Sequence, residues 1–409
     1  MVRLIGCHLR RLCALLATVA LSSQWVSAAT APASTTPSIG HVFIVMLENQ
    51  GYDVTFGPAS PAQYLNQLKG RGALVSNYYG VSHFSLGNYI ALISGQAANP
   101  GTMSDCQQFT EFVATGVTPD GQAIGSGCVY PASVATITTQ LEARGLSWKA
   151  YMEDMGNDPQ RESASCGHPQ IGATDNTQAA QIGDQYATRH DPFVYFHSII
   201  DTPSCAQHVR NLSTLDADLK SIAATPNYVF ITPNLCHDGH DGGPASRCVD
   251  GEPGGLVSAD RFLQTVVPQI LASAAFRRDG LLIITFDEAD IEYDYDAATK
   301  TLSVTGGDAT ACCNEQPGPN VPAYRADAGG ARTAINGPGL IGAGGGRIGA
   351  IMLSPFIKPG TLSQRPYNHY SLLKSVEDMF GLAHLGFAGQ SGLQGFGPDI
   401  FTQPEVRSH

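Results

Sequence analysis

Two apolar runs in this sequence end abruptly in residues that can bind a cation. HVFIVML, His41 to Leu47, runs straight into Glu48 and Asn49, and Leu281 to Phe286 runs straight into Asp287 and Glu288. Short apolar runs rich in β-branched and aromatic residues read as strands buried on both faces. The carboxyl ends of such strands are where open α/β sheets bind ligands. Either acidic tail taken alone reads equally well as a solvated turn, and it is the repetition that favours a site. Three carboxylates and an amide at one sheet edge repel unless a cation neutralises them. An all-oxygen donor set suits a hard divalent ion, Mg²⁺, Ca²⁺ or Mn²⁺, ahead of Zn²⁺.

A third segment, SHFSLGNYIALISG, sets Ser85 at the start of a helix-like run closed by Gly95. A serine there either caps the helix or stands where the helix's positive end can meet an anion such as phosphate. The surroundings are not the G-x-S-x-G of an α/β-hydrolase. A nucleophilic Ser85 therefore needs another activator, which a bound metal can be. In a fourth segment, ITPNLCHDGHDGG, His237, Asp238, His240 and Asp241 fall within five residues after a strand, and that density points to the site. His369, in RPYNHYSLLKSVEDMFG, stands ahead of a helix and alone reads as capping or packing. No G-x-x-x-x-G-K-[ST] occurs, which speaks against a nucleotide-hydrolysing motor.

The elements that must position these residues alternate. Strand-like runs recur at HVFIVML, LSWKAYM, NYVFITP, GLLIITF and RIGAIML, with helical candidates between them at SPAQYLNQLKG, SVATITTQLEARG, SADRFLQTVVPQILASA and YSLLKSVEDMFG. Such alternation predicts an α/β fold with a mostly parallel central sheet flanked by helices. From about residue 291 to 346 the pattern lapses into Asp-, Asn-, Pro- and Gly-rich sequence, which reads as a loop-rich insertion on a single domain spanning 41–409.

The first 28 residues carry Arg3, Arg10 and Arg11, then LCALLATVAL, then small residues. That is the pattern of a secretory signal peptide, followed by a flexible leader over 29–40. The apolar core is too short to span a membrane, and no later stretch is long enough. The expectation is a secreted or periplasmic protein. Eight cysteines remain beyond the signal, and an even number in an exported chain favours disulfides. Cys106 with Cys128, Cys166 with Cys205 and Cys236 with Cys248 are plausible local pairs, while adjacent Cys312 and Cys313 stay ambiguous. The formal charge is -12, and losing the three signal arginines takes it to -15. So acidic a surface argues against nucleic acid or an anionic membrane as a tightly held partner.

Taken together, FIVMLENQGYD, SHFSLGNYIALISG, PNLCHDGHD, LLIITFDEAD and YNHYSLLKSVEDMFGL resemble the bacterial phosphoesterase family of secreted acid phosphatases and phospholipases C, phosphatidylinositol-3-phosphatases among them. That family resembles the alkaline phosphatase superfamily in fold. The resemblance implies a metal held by Glu48, Asn49, Asp287, Glu288 and the Ser85 hydroxyl. It implies that Ser85 attacks phosphorus and is transiently phosphorylated. It further implies that His240, His369 and Asp238 assist catalysis while Asn88, His83 and His237 surround the substrate. Departures stand beside it: Phe84 and Gly87 flank the serine where a proline is common, and Tyr89 follows Asn88 where many phospholipase C relatives have arginine. These favour a phosphomonoesterase acting on a phosphorylated small molecule or lipid head group. The alternatives are a phospholipase C-type phosphodiesterase and a catalytically silent binder of phosphate or a phosphorylated ligand.

Overall fold

The computed structural model describes residues 37–243, 247–296, 301–321, 325–326, 332–333 and 344–402. The expected signal peptide and all but the end of the leader lie outside the described residues. So does much of the expected insertion.

The two runs that end in acids are adjacent strands at the centre of one sheet. His41–Leu47 and Gly280–Phe286 pair in parallel with every residue buried. Their register sets Leu47 opposite Phe286, so Glu48 and Asp287 leave the sheet side by side. On the other flank of His41–Leu47 lies Tyr228–Thr232, also parallel, and its chain continues into the His237–Asp241 segment. Across the sheet the order is Thr361–Ser363, Ala73–Val75, Ala350–Leu353, Gly280–Phe286, His41–Leu47, Tyr228–Thr232, Trp148–Met152 and Val209–Asn211. Ala350–Leu353 runs against both its neighbours, and the other pairings are parallel. The sheet is thus mixed and mostly parallel, as the alternation of elements predicts.

The four expected helices form at Gln63–Leu68, Ile137–Ala143, Gly255–Ala272 and His369–Phe380. Their ends follow local chemistry. Thr136 and Thr139 make a capping box for the second, and Gly381 closes the last in the left-handed conformation at φ 64°, where glycine carries no Cβ penalty. Three strands of three residues each, at Ala73, Val209 and Thr361, are too short to leave a period in the sequence. The segment expected to be loop-rich opens instead as a hairpin, Ile291–Asp296 against Thr301–Gly307. In IEYDYD the acids mask an alternation of Ile and Tyr, which is strand chemistry.

Cys106–Cys128, Cys166–Cys205 and Cys236–Cys248 are bonded as the local pairing suggests, and Cys312 is bonded to Cys313. Among the described residues, no helix is long and apolar enough to cross a membrane.

Candidate active site

The helix Ser85–Ser94 packs with every residue buried, aimed at the carboxyl edge of the central strands. Phe84 holds φ 71° ahead of it, a conformation rare for a bulky residue, and Gly95 closes it at φ 67°. Gly87 is required by close approach, since a Cβ there would meet Ser82 Oγ at 2.7 Å and Ala98 Cβ at 2.9 Å.

Ser85 Oγ donates to Glu48 Oε2 at 2.7 Å, and one helical turn on, Tyr89 Oη donates to Glu48 Oε1 at 2.6 Å. Residues four apart share a helix face, and here that face clamps both oxygens of one carboxylate. Glu48 is fully buried. Burial first, then Asp287 and Asp238, hold its pKa well above the carboxylate range. Asp287 is equally buried, and burial pushes it up to about 7. Its Oδ1 accepts from the backbone N–H groups of Asn49, at 3.0 Å, and Glu288, at 2.6 Å. Asn49 donates Nδ2 to Glu288 Oε1 at 3.4 Å. Two oxygens of this set, Asn49 Oδ1 and Asp287 Oδ2, are buried without a hydrogen-bond partner. Buried polar atoms left over in a cluster of acids are what an oxygen-preferring cation satisfies, so the residues fit such an ion. Among the described residues, the compact His/Cys/Asp/Glu groups lie elsewhere, at Cys236–His237–Glu252 and Cys236–Cys248–Asp250. Both draw on a cysteine whose sulfur is locked in the 236–248 disulfide, so neither offers a thiolate.

A cavity of about 300 Å³ opens over Ser85, lined also by Asn49, Asp105, Arg189, His240 and Glu288. The expected residues therefore divide. Ser85, Asn49, Glu288 and His240 face the cavity, while Glu48 and Asp287 stand directly behind. Asp238 is buried and supports the cluster: its carbonyl accepts from Glu48 N at 2.8 Å and its Oδ1 accepts from His240 N at 2.8 Å.

Four residues expected to touch substrate or assist chemistry are placed otherwise. Asn88 is fully buried, and its amide holds the loop before the serine, accepting from Val81 N and Ser82 N at 2.8 and 3.0 Å and donating to the Ser82 carbonyl at 3.0 Å. His83 is buried under Glu288, its Nδ1 on Glu288 Oε2 and its Nε2–H donating to the Asp308 carbonyl at 3.1 Å. His369 is buried behind Asp287, donating from Nε2 to the Asp287 carbonyl at 2.6 Å and accepting from Tyr78 Oη at 3.1 Å. Burial pushes both rings down to about 4, which favours the neutral imidazole. His237 lies outside the cavity lining, with Nδ1 at 3.0 Å from Glu153.

Other residues completing the site escape a sequence reading. Arg189 and His190 sit on the short turn Thr188–His190. Arg189 lines the cavity and donates to the Gln178 carbonyl at 3.0 Å. His190 stacks on Tyr89 at 5.4 Å and brings Nε2 to 3.3 Å from Glu48 Oε1. Burial, then Arg189, pushes its pKa well down. Tyr89 is a Glu48 partner. The signal available was the charged triplet Arg189–His190–Asp191, set between Thr188 and Pro192 in a stretch otherwise rich in aromatic residues.

A family model described as the phosphoesterase family matches residues 58–383. The chain is 28% identical over 251 residues to a phosphate-repressible acid phosphatase of Penicillium chrysogenum, covering 61% of this chain and 48% of that protein. It is 22% identical over 371 residues to a phosphatidylinositol-3-phosphatase of Mycobacterium tuberculosis, covering 90% and 87%. This chain spans about half the length of the curated fungal acid phosphatases it matches. Among solved structures, a protein in the alkaline phosphatase superfamily from Vibrio parahaemolyticus superposes with a TM-score of 0.48 at 11% identity, covering 91% of this chain and 72% of the other.

Proposed function

This chain belongs to the phosphoesterase family, and from that premise we propose that it is an exported, metal-dependent phosphomonoesterase in which Ser85 is the nucleophile. The observation that carries the reading is the Ser85 hydroxyl, fixed by Glu48 at a helix N-terminus and open to a cavity that Arg189 and His240 also line. Its proton is donated to Glu48 Oε2, and the residue lines the cavity. The helix end and the Arg189 guanidinium favour a phosphoryl group there. Glu48, Asn49, Asp287 and Ser85 would hold the cation, with Glu288 orienting Asn49 and able to join them. When bound, the cation offsets the acids' mutual repulsion and lowers the pKa of the serine hydroxyl.

In the reaction Ser85 Oγ gives its proton to Glu48 Oε2 and forms a bond to phosphorus as the ester P–O bond breaks, and His240, exposed on the cavity wall, is placed to give the leaving oxygen a proton. Water then attacks phosphorus, the bond between phosphorus and Oγ breaks, and Ser85 takes its proton back from Glu48. The relatives named as an acid phosphatase and a phosphatidylinositol-3-phosphatase support monoesters as substrates, lipid head groups included. Disulfides in all three expected local pairs support export.

The test is turnover of 4-nitrophenyl phosphate, its bis-ester, phosphatidylcholine and a phosphoinositide by wild type and Ser85→Ala. Monoester turnover should fall by several orders of magnitude in a folded variant, and acid quenching of wild type should trap phosphate on the Ser85 peptide. A folded Ser85→Ala enzyme with near wild-type turnover would overturn the mechanism.

A further inference from the structure

Phe84, the residue before the nucleophile, is a wall shared by two cavities. On one side is the reaction cavity. On the other lies a second cavity of about 340 Å³, lined by Phe84, Met103, Gln107, Gln108 and the Cys106–Cys128 disulfide among others, with no Asp, Glu, Lys, Arg or His in its lining. Two other cavities, around Glu153 and around Gln96, share no lining residue with the reaction cavity.

The partition is held in a fixed position. Asp105 lines the reaction cavity and the next residue, Cys106, lines the second, the two at φ 52° and 47°. Asp105 Oδ1 accepts from Leu86 N at 3.1 Å, tying this loop to the helix that carries Ser85. The Asp105 carbonyl accepts from Gln178 Nε2 at 2.9 Å, and the disulfide anchors Cys106 to Cys128. The second cavity thus keeps its place relative to the serine.

We propose that this second cavity is the leaving-group subsite and that it takes an uncharged ring, an aryl group or a cyclic polyol, from the alcohol half of the ester. The inference rests on Ser85 as the attacking group. The phosphoryl group must sit at Ser85 in the reaction cavity, and an alcohol that reaches past Phe84 meets the second cavity next, because Phe84 lines both and the adjacent residues Asp105 and Cys106 line one each. The volume of this second cavity suits one ring. Thioether and disulfide sulfur against an aromatic wall favour a flat or apolar ring face, while Gln107 and Gln108 offer amides to hydroxyls. An anionic group seated inside this cavity would be desolvated with no counter-charge in the lining, so a charge on the bound ring itself is disfavoured, whereas the diester of a lipid head group must lie outside the cavity.

The test measures kcat and KM for methyl phosphate, phenyl phosphate and 4-carboxyphenyl phosphate with wild type, Met103→Ala and Gln107→Lys, each substrate being its own reference across variants; Met103 and Gln107 line the second cavity and not the reaction cavity. Met103→Ala should cost phenyl phosphate ~10-fold or more in kcat/KM, chiefly through KM, and methyl phosphate less than ~3-fold. Gln107→Lys should raise kcat/KM for the carboxylated ester ~5-fold relative to phenyl phosphate. Equal losses on methyl and phenyl phosphate in Met103→Ala, or no change in the charged-to-uncharged ratio in Gln107→Lys, would overturn the subsite. The second variant decides the matter if the first does not fold. A wild type that turns over no monoester defeats the proposed activity itself, and the subsite with it. A wild type active on all three, with ratios unmoved in the variants, defeats the subsite alone.

Discussion

Asp287→Asn in metal-stripped protein should be more stable than wild type, and increasingly so as pH rises. Asp287 is fully buried with its pKa raised from 3.8 to about 7, burial being the main cause. A carboxyl whose folded pKa lies above its unfolded one binds its proton more tightly in the native state. The associated stability is present below about pH 4 and is lost as pH rises through about 7. At 1.36 kcal/mol per unit, ionising this one group in the fold costs roughly 4 kcal/mol by pH 8. Glu48 stands in the same field and titrates with it, so the cost for the pair is shared, leaving roughly 2–4 kcal/mol for asparagine to recover. Asparagine can keep Oδ1 on the N–H groups of Asn49 and Glu288 while carrying no charge. In a chain this size that corresponds to several degrees in Tm, extrapolating from about 2–4 °C per kcal/mol in smaller proteins. Thermal unfolding of chelator-treated wild type and variant at pH 4 and pH 8 is the assay, with equal Tm expected at pH 4 and a higher variant Tm at pH 8. Adding Mg²⁺, Ca²⁺ or Mn²⁺ should raise the wild-type Tm at pH 8 and leave the variant's nearly unchanged. Equal stability of the two stripped proteins at both pH values would refute the claim that uncompensated acids strain this site.

Asn88→Ala should destabilise the fold by about 2–4 kcal/mol, because it leaves the N–H groups of Val81 and Ser82 unpartnered in a buried loop, and chemical denaturation would measure it. Activity should fall with it, since that loop sets Ser85, whereas a substrate contact would change KM with stability intact. Thiol titration of the denatured, unreduced protein should find no free thiol among the eight cysteines from Cys106 to Cys313. Two free thiols in one peptide holding Cys312 and Cys313 would show that the adjacent pair is reduced in solution.

The sequence by itself determined the parts that local chemistry writes. An apolar run discharging into acids marks a buried strand with a site at its end, because burial on both faces and a polar terminus are properties of a few consecutive residues. Ser85 ahead of an apolar run closed by Gly95 marks a helix start, and close cysteine spacing suggested three disulfides. The tertiary structure decided which of these meet. The in-register pairing of Leu47 with Phe286 brings Glu48 beside Asp287 from a distant part of the chain, and no local pattern encodes a register. Histidine surroundings are hidden from a local pattern for the same reason: His83 and His369 are buried beside Glu288 and Asp287, whereas His240 is exposed on the cavity wall. Arg189 and His190 sit on a turn with no periodicity to announce it, so only the folded chain reveals that one lines the cavity and the other lies against Glu48. Position in a strand or helix is a short-range property, whereas the charge and burial that give a side chain its chemistry are summed over everything the fold packs around it.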